Sequence, residues 1–345
     1  MRKLASIQRV LAVEPIEGAD KIEKISVLGW QLVAKRGEFS AGNLCTYFEL
    51  DSVPPDTEQY AFLWSKPGEV IPRPSGWRLR SKRMRGVLSQ GLALPISVLP
   101  AGCEAVEGQD VTAALGVSKW EPVVSSSARE IAGAFPKHLF PKTDELRVQS
   151  APEILEELRG VDCYAAVKLD GQSLSIAKIA DESGSRLLVC TRNYSLKDLP
   201  DSPHWEVARR LNLIELLPAG FAIQGEFCGP SIQSNRLALR DKAFYAFQVF
   251  DISKQRYLGY DEFVQFCSAR SIPTVPVEWR GALDIDLAGV LAMADGTYQG
   301  GHPREGLVIR PVAERISPAL SAYCGSPARA SFKVISNAYL LKIGE

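Results

Sequence analysis

Tyr164-Ala-Ala-Val-Lys168-Leu-Asp170-Gly171-Gln-Ser-Leu-Ser-Ile176 joins two apolar runs through a lysine, an aspartate and a glycine. Four apolar residues predict a strand that ends on Lys168, and a second strand leaves Gly171. A lysine at a strand end can pack its stem and offer its amine to a cleft. Partial desolvation near other cations lowers the pKa of such an amine and makes it a nucleophile. Alone, the pattern also describes an ordinary hairpin with a solvated lysine.

Five further stretches bring charged or aromatic residues to apolar runs. Ile223-Gln-Gly225-Glu226-Phe-Cys-Gly229 ends a strand in a glycine-flanked carboxylate, where the backbone can approach a ligand closely. Glu305-Gly306-Leu-Val-Ile-Arg310 places a carboxylate before an apolar strand, a hard oxygen donor suited to Mg²⁺ with retained waters. Ser331-Phe-Lys333-Val-Ile sets one lysine in an apolar strand, and Thr191-Arg192-Asn193 adds an arginine. Phe244-Tyr-Ala-Phe247-Gln-Val-Phe250-Asp251 supplies an aromatic strand able to stack on a base. In order, these residues fit attack by an amine on a nucleotide α-phosphate, with cations and a metal neutralising the phosphates. There is no GxxxxGK[ST] phosphate loop and no His placed for a hydrolase triad.

Composition sets the frame. The chain has 345 residues, 46% hydrophobic and 23% charged, which predicts about two globular domains. Forty basic residues balance forty acidic ones, so a nucleic-acid partner must be sought in local patches. Seven scattered cysteines without a CxxC argue against a disulfide framework or a zinc site, and the charged start argues against a signal peptide or membrane span. A cytoplasmic protein with no membrane partner is expected.

Around the central stretch, residues 161–345 predict strands at 164–167, 173–179, 187–191, 221–227, 244–250 and 306–310 and helices at 205–211, 260–269 and 285–293. Residues 1–121 predict short strands at 22–30, 31–35, 44–50, 77–84 and 87–94, then a short helix at 110–115, a pattern suited to a small barrel. Glu121-Pro-Val-Val-Ser-Ser-Ser-Ala looks like a linker, and a helix with Pro152 in its first turn and Gly160 past its end opens the second half. Trp77-Arg-Leu-Arg-Ser-Lys-Arg-Met-Arg85 carries five cations and no acid. On a strand, Arg78, Arg80 and Lys82 would share one face for phosphate contacts, with Arg85 beyond them.

These residues resemble the covalent nucleotidyltransferase superfamily of polynucleotide ligases and mRNA capping enzymes. Lys168-Leu-Asp-Gly resembles its motif I, Arg192-Asn193 motif Ia, Gly225-Glu226-Phe-Cys-Gly motif III, the Tyr245–Asp251 segment motif IIIa, Glu305-Gly-Leu-Val-Ile-Arg motif IV and Phe332-Lys333 motif V. An all-β module precedes the catalytic part, and the chain runs only a short way past Lys333, without the OB domain that follows motif V in DNA ligases. That order resembles the Deinococcus-type (type 5) RNA ligases. So do Glu17-Gly-Ala-Asp20 through Gly37-Glu-Phe, Tyr47-Phe-Glu-Leu-Asp-Ser and Phe140-Pro-Lys-Thr-Asp-Glu-Leu-Arg-Val-Gln149.

The resemblance implies an α+β protein, with an adenylyltransferase domain of antiparallel sheets and flanking helices at 151–345, a connector at 123–150 and an OB-like barrel at 1–122. It implies an ATP-dependent RNA ligase that seals 3′-OH/5′-phosphate nicks in duplex RNA or RNA/DNA hybrids. An end-healing kinase or phosphatase is an implied partner. Lys168 would carry AMP. Val167, Asp170, Gly171, Arg192, Glu226, Phe247, Glu305 and Lys333 would bind the nucleotide, with Phe247 stacking on adenine and Phe250 as the competing alignment. Asp170, Glu226 and Glu305 would hold Mg²⁺ or Mn²⁺, largely through water. Motif V usually reads K-x-K, and here Lys333 has no partner lysine two residues away. A capping-type GMP transferase and a non-catalytic RNA-binding protein of the same fold are the alternatives.

Overall fold

The alternation of buried and half-buried residues in Ile22–Val27 and Trp30–Lys35 builds one hairpin. Its Leu28-Gly29 turn is pressed onto the second module, where Gly29 N donates to Gln149 O at 2.9 Å. A side chain at Gly29 would lie 2.8 Å from the Gln149 Cα, so only glycine fits. The computed structural model describes residues 2–66, 69, 71–120, 129–181 and 184–344. The hairpin belongs to a five-stranded antiparallel sheet in the order Trp30–Lys35, Ile22–Val27, Ala5–Pro15, Leu44–Phe48, Leu92–Pro95. The sheet curls until its ends meet, with Gln90 N donating to Gln31 O at 2.9 Å. The expected small barrel is therefore formed around Ile25, Val27, Trp30, Leu32 and Tyr47.

Three local expectations for this module fail. Its central strand, Ala5–Pro15, lies outside every run expected as a strand. A bulge between Val10 and Ala12 breaks its period, and Ala5–Gln8 is buried on both faces. The strand expected over 77–84 is confined to Lys82–Met84. The helix expected over 110–115 is a set of turns. Asp110 Oδ1 accepts from Thr112 N at 2.9 Å, and Thr112 Oγ1 accepts from Leu4 N and Ala5 N at 3.0 and 3.1 Å. Side-chain bonds of this kind compete with helix formation.

The second module stacks two sheets. One has seven antiparallel strands in the order Ile131–Ala134, Tyr194–Leu196, Gly184–Cys190, Gln172–Asp181, Phe221–Cys228, Ala243–Asp251, Arg256–Tyr257. The other has the order Leu146–Arg147, Phe332–Ile335, Gly306–Pro311, Asp162–Lys168, Val277–Ala282, with only the Leu146–Arg147 pairing parallel. Helices Pro203–Arg210 and Tyr260–Ser268 cover the outer face of the first sheet through Trp205, Val207, Phe263 and Cys267. The fold is α+β, as expected. Residues 129–150 supply an edge strand to each sheet. The run 121–128 expected as a linker lies outside the described residues. No described helix is long and apolar enough to cross a membrane.

The two modules meet at a buried carboxylate. Glu49, 1% exposed, takes Arg2 Nε at 2.5 Å, Ser150 Oγ at 2.7 Å and Tyr323 OH at 2.8 Å. A buried charge with three donors fixes orientation as much as it stabilises.

Candidate active site

Strand Asp162–Lys168 lies in the five-stranded sheet and Gln172–Asp181 in the seven-stranded one, so Leu169-Asp170-Gly171 is the step between sheets. That step needs close approach. A Cβ at Gly171 would lie 2.5 Å from Phe227 O and 2.9 Å from the Glu226 Cγ. Lys168 is thus delivered into the cleft between the sheets, opposite the end of Phe221–Cys228.

Lys168 Nζ is 2.7 Å from Glu305 Oε1. One tyrosine fixes both backbones. Tyr298 OH donates to Lys168 O at 2.7 Å and accepts from Glu305 N at 3.0 Å. Glu305 precedes Gly306, whose φ of +147° and a Cβ position 2.0 Å from Val334 O admit no side chain. Burial works against the charge on Lys168, but the Glu305 and Glu226 carboxylates outweigh it and hold the amine protonated well above the usual lysine range. Burial pushes Glu226 up to about 8, with Glu305 and Asp170 adding to the shift and Lys168 opposing it. Asp170, 6% exposed, pairs with Arg236 and accepts from Tyr339 OH at 3.2 Å.

Three carboxyl groups thus surround the nucleophile: Glu305 paired with Lys168, Asp170 paired with Arg236, and Glu226, which burial favours in its protonated form. Among the described residues no cluster of three His, Cys, Asp or Glu side chains is close enough to ligate a metal directly. The oxygens of these three carboxyl groups are hard donors of the type that meets a divalent ion through its waters.

Cations lie beyond Lys168. Lys333 pairs across the sheet with Val308 and with Arg147. Burial pushes its amine down to about 8, with Lys168, Arg147 and Arg2 contributing, against the attraction of Asp144. Asp144 Oδ1 lies 3.5 Å from Lys333 Nζ, and its Oδ2 lies 2.9 Å from Arg192 Nη2 and 3.4 Å from Lys119 Nζ.

Phe247 is the extra residue of a bulge in Ala243–Asp251, opposite Gln224 and Gly225. It packs with Tyr245 against the core between the sheets, and the Arg310 guanidinium lies 5.9 Å from its ring centre. Phe250 is 5% exposed and edge-on to Tyr257 in a separate cluster with Phe135 and Phe140. Of the two, Phe247 is half-buried and Phe250 is buried.

Lys168, Asp170, Gly171, Glu226, Glu305, Lys333, Phe247 and, through Asp144, Arg192 therefore converge. Val167 does not present its side chain: it is 7% exposed and packed in the core. Arg78 departs from the expected basic face. It turns inward to Asp51 Oδ1 at 3.0 Å and lies over Trp120 at 3.6 Å, because residues 77–81 form no ladder strand to alternate it with Arg80 and Lys82. Arg80, Lys82, Arg83 and Arg85 are exposed. Asp144, Lys119, Arg236, Tyr298 and Tyr339 have no assigned role in the sequence reading. Asp144 was visible only as part of the Lys-Thr-Asp-Glu run.

This site, on this pairing of modules, defines a nucleotidyltransferase. An RNA ligase family model matches residues 162–335, and an OB-fold domain model matches residues 4–96. Among solved structures, Naegleria gruberi RNA ligase with PPi is 36% identical, over 99% of this chain and 98% of that one, with a TM-score of 0.85. A lysine-to-alanine mutant of that ligase with ATP and Mn is 36% identical over 98% of each chain, with a TM-score of 0.83. A glutamate-to-alanine mutant with AMP and Mn gives the same identity and coverage at a TM-score of 0.84. No curated protein matches. The chain belongs to the RNA ligase family.

Proposed function

We propose that the protein is an ATP-dependent RNA ligase that seals 3′-OH/5′-phosphate nicks in duplexes whose 3′-OH strand is RNA. The observation that carries this reading is Lys168 itself, held 2.7 Å from Glu305 where the sheets exchange strands, with Lys333 and Arg192 beyond it. In the first step the Lys168 amine, after losing a proton, attacks the α-phosphorus of ATP. A P–N bond forms, and the P–O bond to pyrophosphate breaks. The AMP then passes to the 5′-phosphate at the nick, and the 3′-OH displaces AMP. Lys333 and Arg192 neutralise phosphate charge, and Phe247 stacks on adenine. Mg²⁺ or Mn²⁺, bound through water to Asp170, Glu226 and Glu305, would offset the carboxylates that keep Lys168 protonated. The ATP and Mn held by the Naegleria structures support these choices.

A titration follows from Glu226. Its folded-state value of about 8 lies above the ordinary 4.5, so the folded protein holds a proton that the unfolded chain has released, and stability falls as pH rises between the two values. A divalent cation competes with that proton. We expect the rise in melting temperature on adding Mg²⁺ to grow as pH rises through about 8, and to flatten in Glu226→Gln. Differential scanning fluorimetry across pH checks it.

For the acceptor, hairpin strands Lys82–Met84 and Val87–Ser89 present exposed Lys82, Arg83 and Arg85. Gln90 Nε2, just after the hairpin, donates to Asn337 Oδ1 at 3.2 Å, and Tyr339 on the same C-terminal helix reaches Asp170. A duplex crossing this hairpin would thus end beside Lys168. The divisions 1–122, 123–150 and 151–345, a cytoplasmic location and an end-healing partner belong to the same proposal. The test is sealing of matched nicked duplexes that carry RNA or DNA at the 3′-OH. Wild type should favour RNA. Arg83→Glu with Arg85→Glu should lower sealing about tenfold or more and flatten its salt dependence, while labelling by ATP persists. Equal use of DNA would overturn the RNA preference.

A further inference from the structure

Asp144 is the meeting point of three separately placed cations. Lys119 comes from the first module, where Ser118–Lys119 pairs with Ser52–Val53. Arg192 comes from the turn between Gly184–Cys190 and Tyr194–Leu196. Lys333 comes from the other sheet, beside the Leu146–Arg147 strand that Asp144 precedes. All three approach one carboxylate within 3.5 Å. Left alone, three such charges repel, and long lysine side chains would swing apart into solvent.

We propose that Asp144 is a positioning residue that holds Lys119, Arg192 and Lys333 together as one triphosphate-binding set, spanning both modules. The proposal rests on the ligase reading and deepens it. Burial works against the Asp144 charge, yet Lys333, Arg192 and Lys119 hold its carboxyl well below the usual range, so it stays ionised across working pH. The carboxylate does not touch the reacting atoms. It sets where the cations stand when phosphate arrives, and that placement supplies rate rather than affinity.

The experiment is rapid-quench self-labelling of AMP-free protein with α-³²P-labelled ATP over a range of ATP concentrations. It compares wild type, Asp144→Asn, Asp144→Glu and Lys168→Ala, with a melting curve for each. We expect Asp144→Asn to lower the labelling rate at saturating ATP by about tenfold to a hundredfold with its melting temperature nearly kept. Asp144→Glu, which retains the charge, should recover most of that rate. Two results overturn the proposal. One is an Asp144→Asn protein that labels as fast as wild type at saturation, whether or not its KM changes. The other is a rate loss that tracks a lower melting temperature in both variants. Absence of label in wild type, by contrast, defeats the ligase reading itself.

Discussion

Replacing Lys168 with alanine is expected to reduce covalent labelling by ATP by about three orders of magnitude or more, because the bond-forming nitrogen is gone. Lys168→Arg should fail as completely. Its guanidinium can still pair with Glu305, which Lys168 meets at 2.7 Å, but it stays protonated and cannot attack phosphorus. The arginine variant thus separates the charge of this residue from its nucleophilicity. Ordinary lysyl labelling at any exposed site would persist in both variants. Gel quantification of alkali-stable, acid-labile label on the three proteins, as a P–N bond requires, decides between these outcomes.

The second large effect is structural and lies one strand away. Arg310, 1% exposed, donates to Glu145 Oε1 at 2.7 Å, to Ser331 Oγ at 2.9 Å and to Phe247 O at 3.3 Å. It ties the Gly306–Pro311 strand to the bulge at Phe247 and to the segment next to Asp144. Arg310→Met should destabilise the fold by about 3–5 kcal/mol, since it leaves the Glu145 carboxylate buried without its partner. The sign is set by the stranded charge, so Glu145→Gln in the same chain should recover a large part of the loss. Urea unfolding of the two single variants and the double variant measures the coupling directly. Additive losses would show that the pair contributes nothing jointly.

Much of the catalytic half was legible because its charged residues end apolar runs. Lys168, Glu226 and Lys333 stand out within apolar strands and Glu305 directly precedes one, because strands buried on both faces read as continuous apolar runs in which a charge is conspicuous. Asp144 was not legible as a hub because Lys119, Arg192 and Lys333 reach it only through tertiary folding, from two modules and both sheets. Arg78 was misplaced for a related reason: alternation holds only in a paired strand, and Asp51 with Trp120 captures this side chain where no ladder forms. The bulge near Leu11 hid the central barrel strand. At residues 110–115 a threonine hydroxyl used by Leu4 and Ala5 outcompeted a helix that the sequence allowed.

The central claim is that AMP travels from Lys168 to an RNA end. The direct measurement is a chase. Protein charged with α-³²P-labelled ATP and Mg²⁺ is freed of nucleotide and given a nicked duplex with an RNA 3′-OH strand and a 5′-phosphate. The account predicts that label leaves the protein, passes through the 5′-phosphorylated strand and ends as free AMP as the sealed strand appears, with Lys168→Ala inert throughout. Label that remains on the protein while the nick stays open would contradict it.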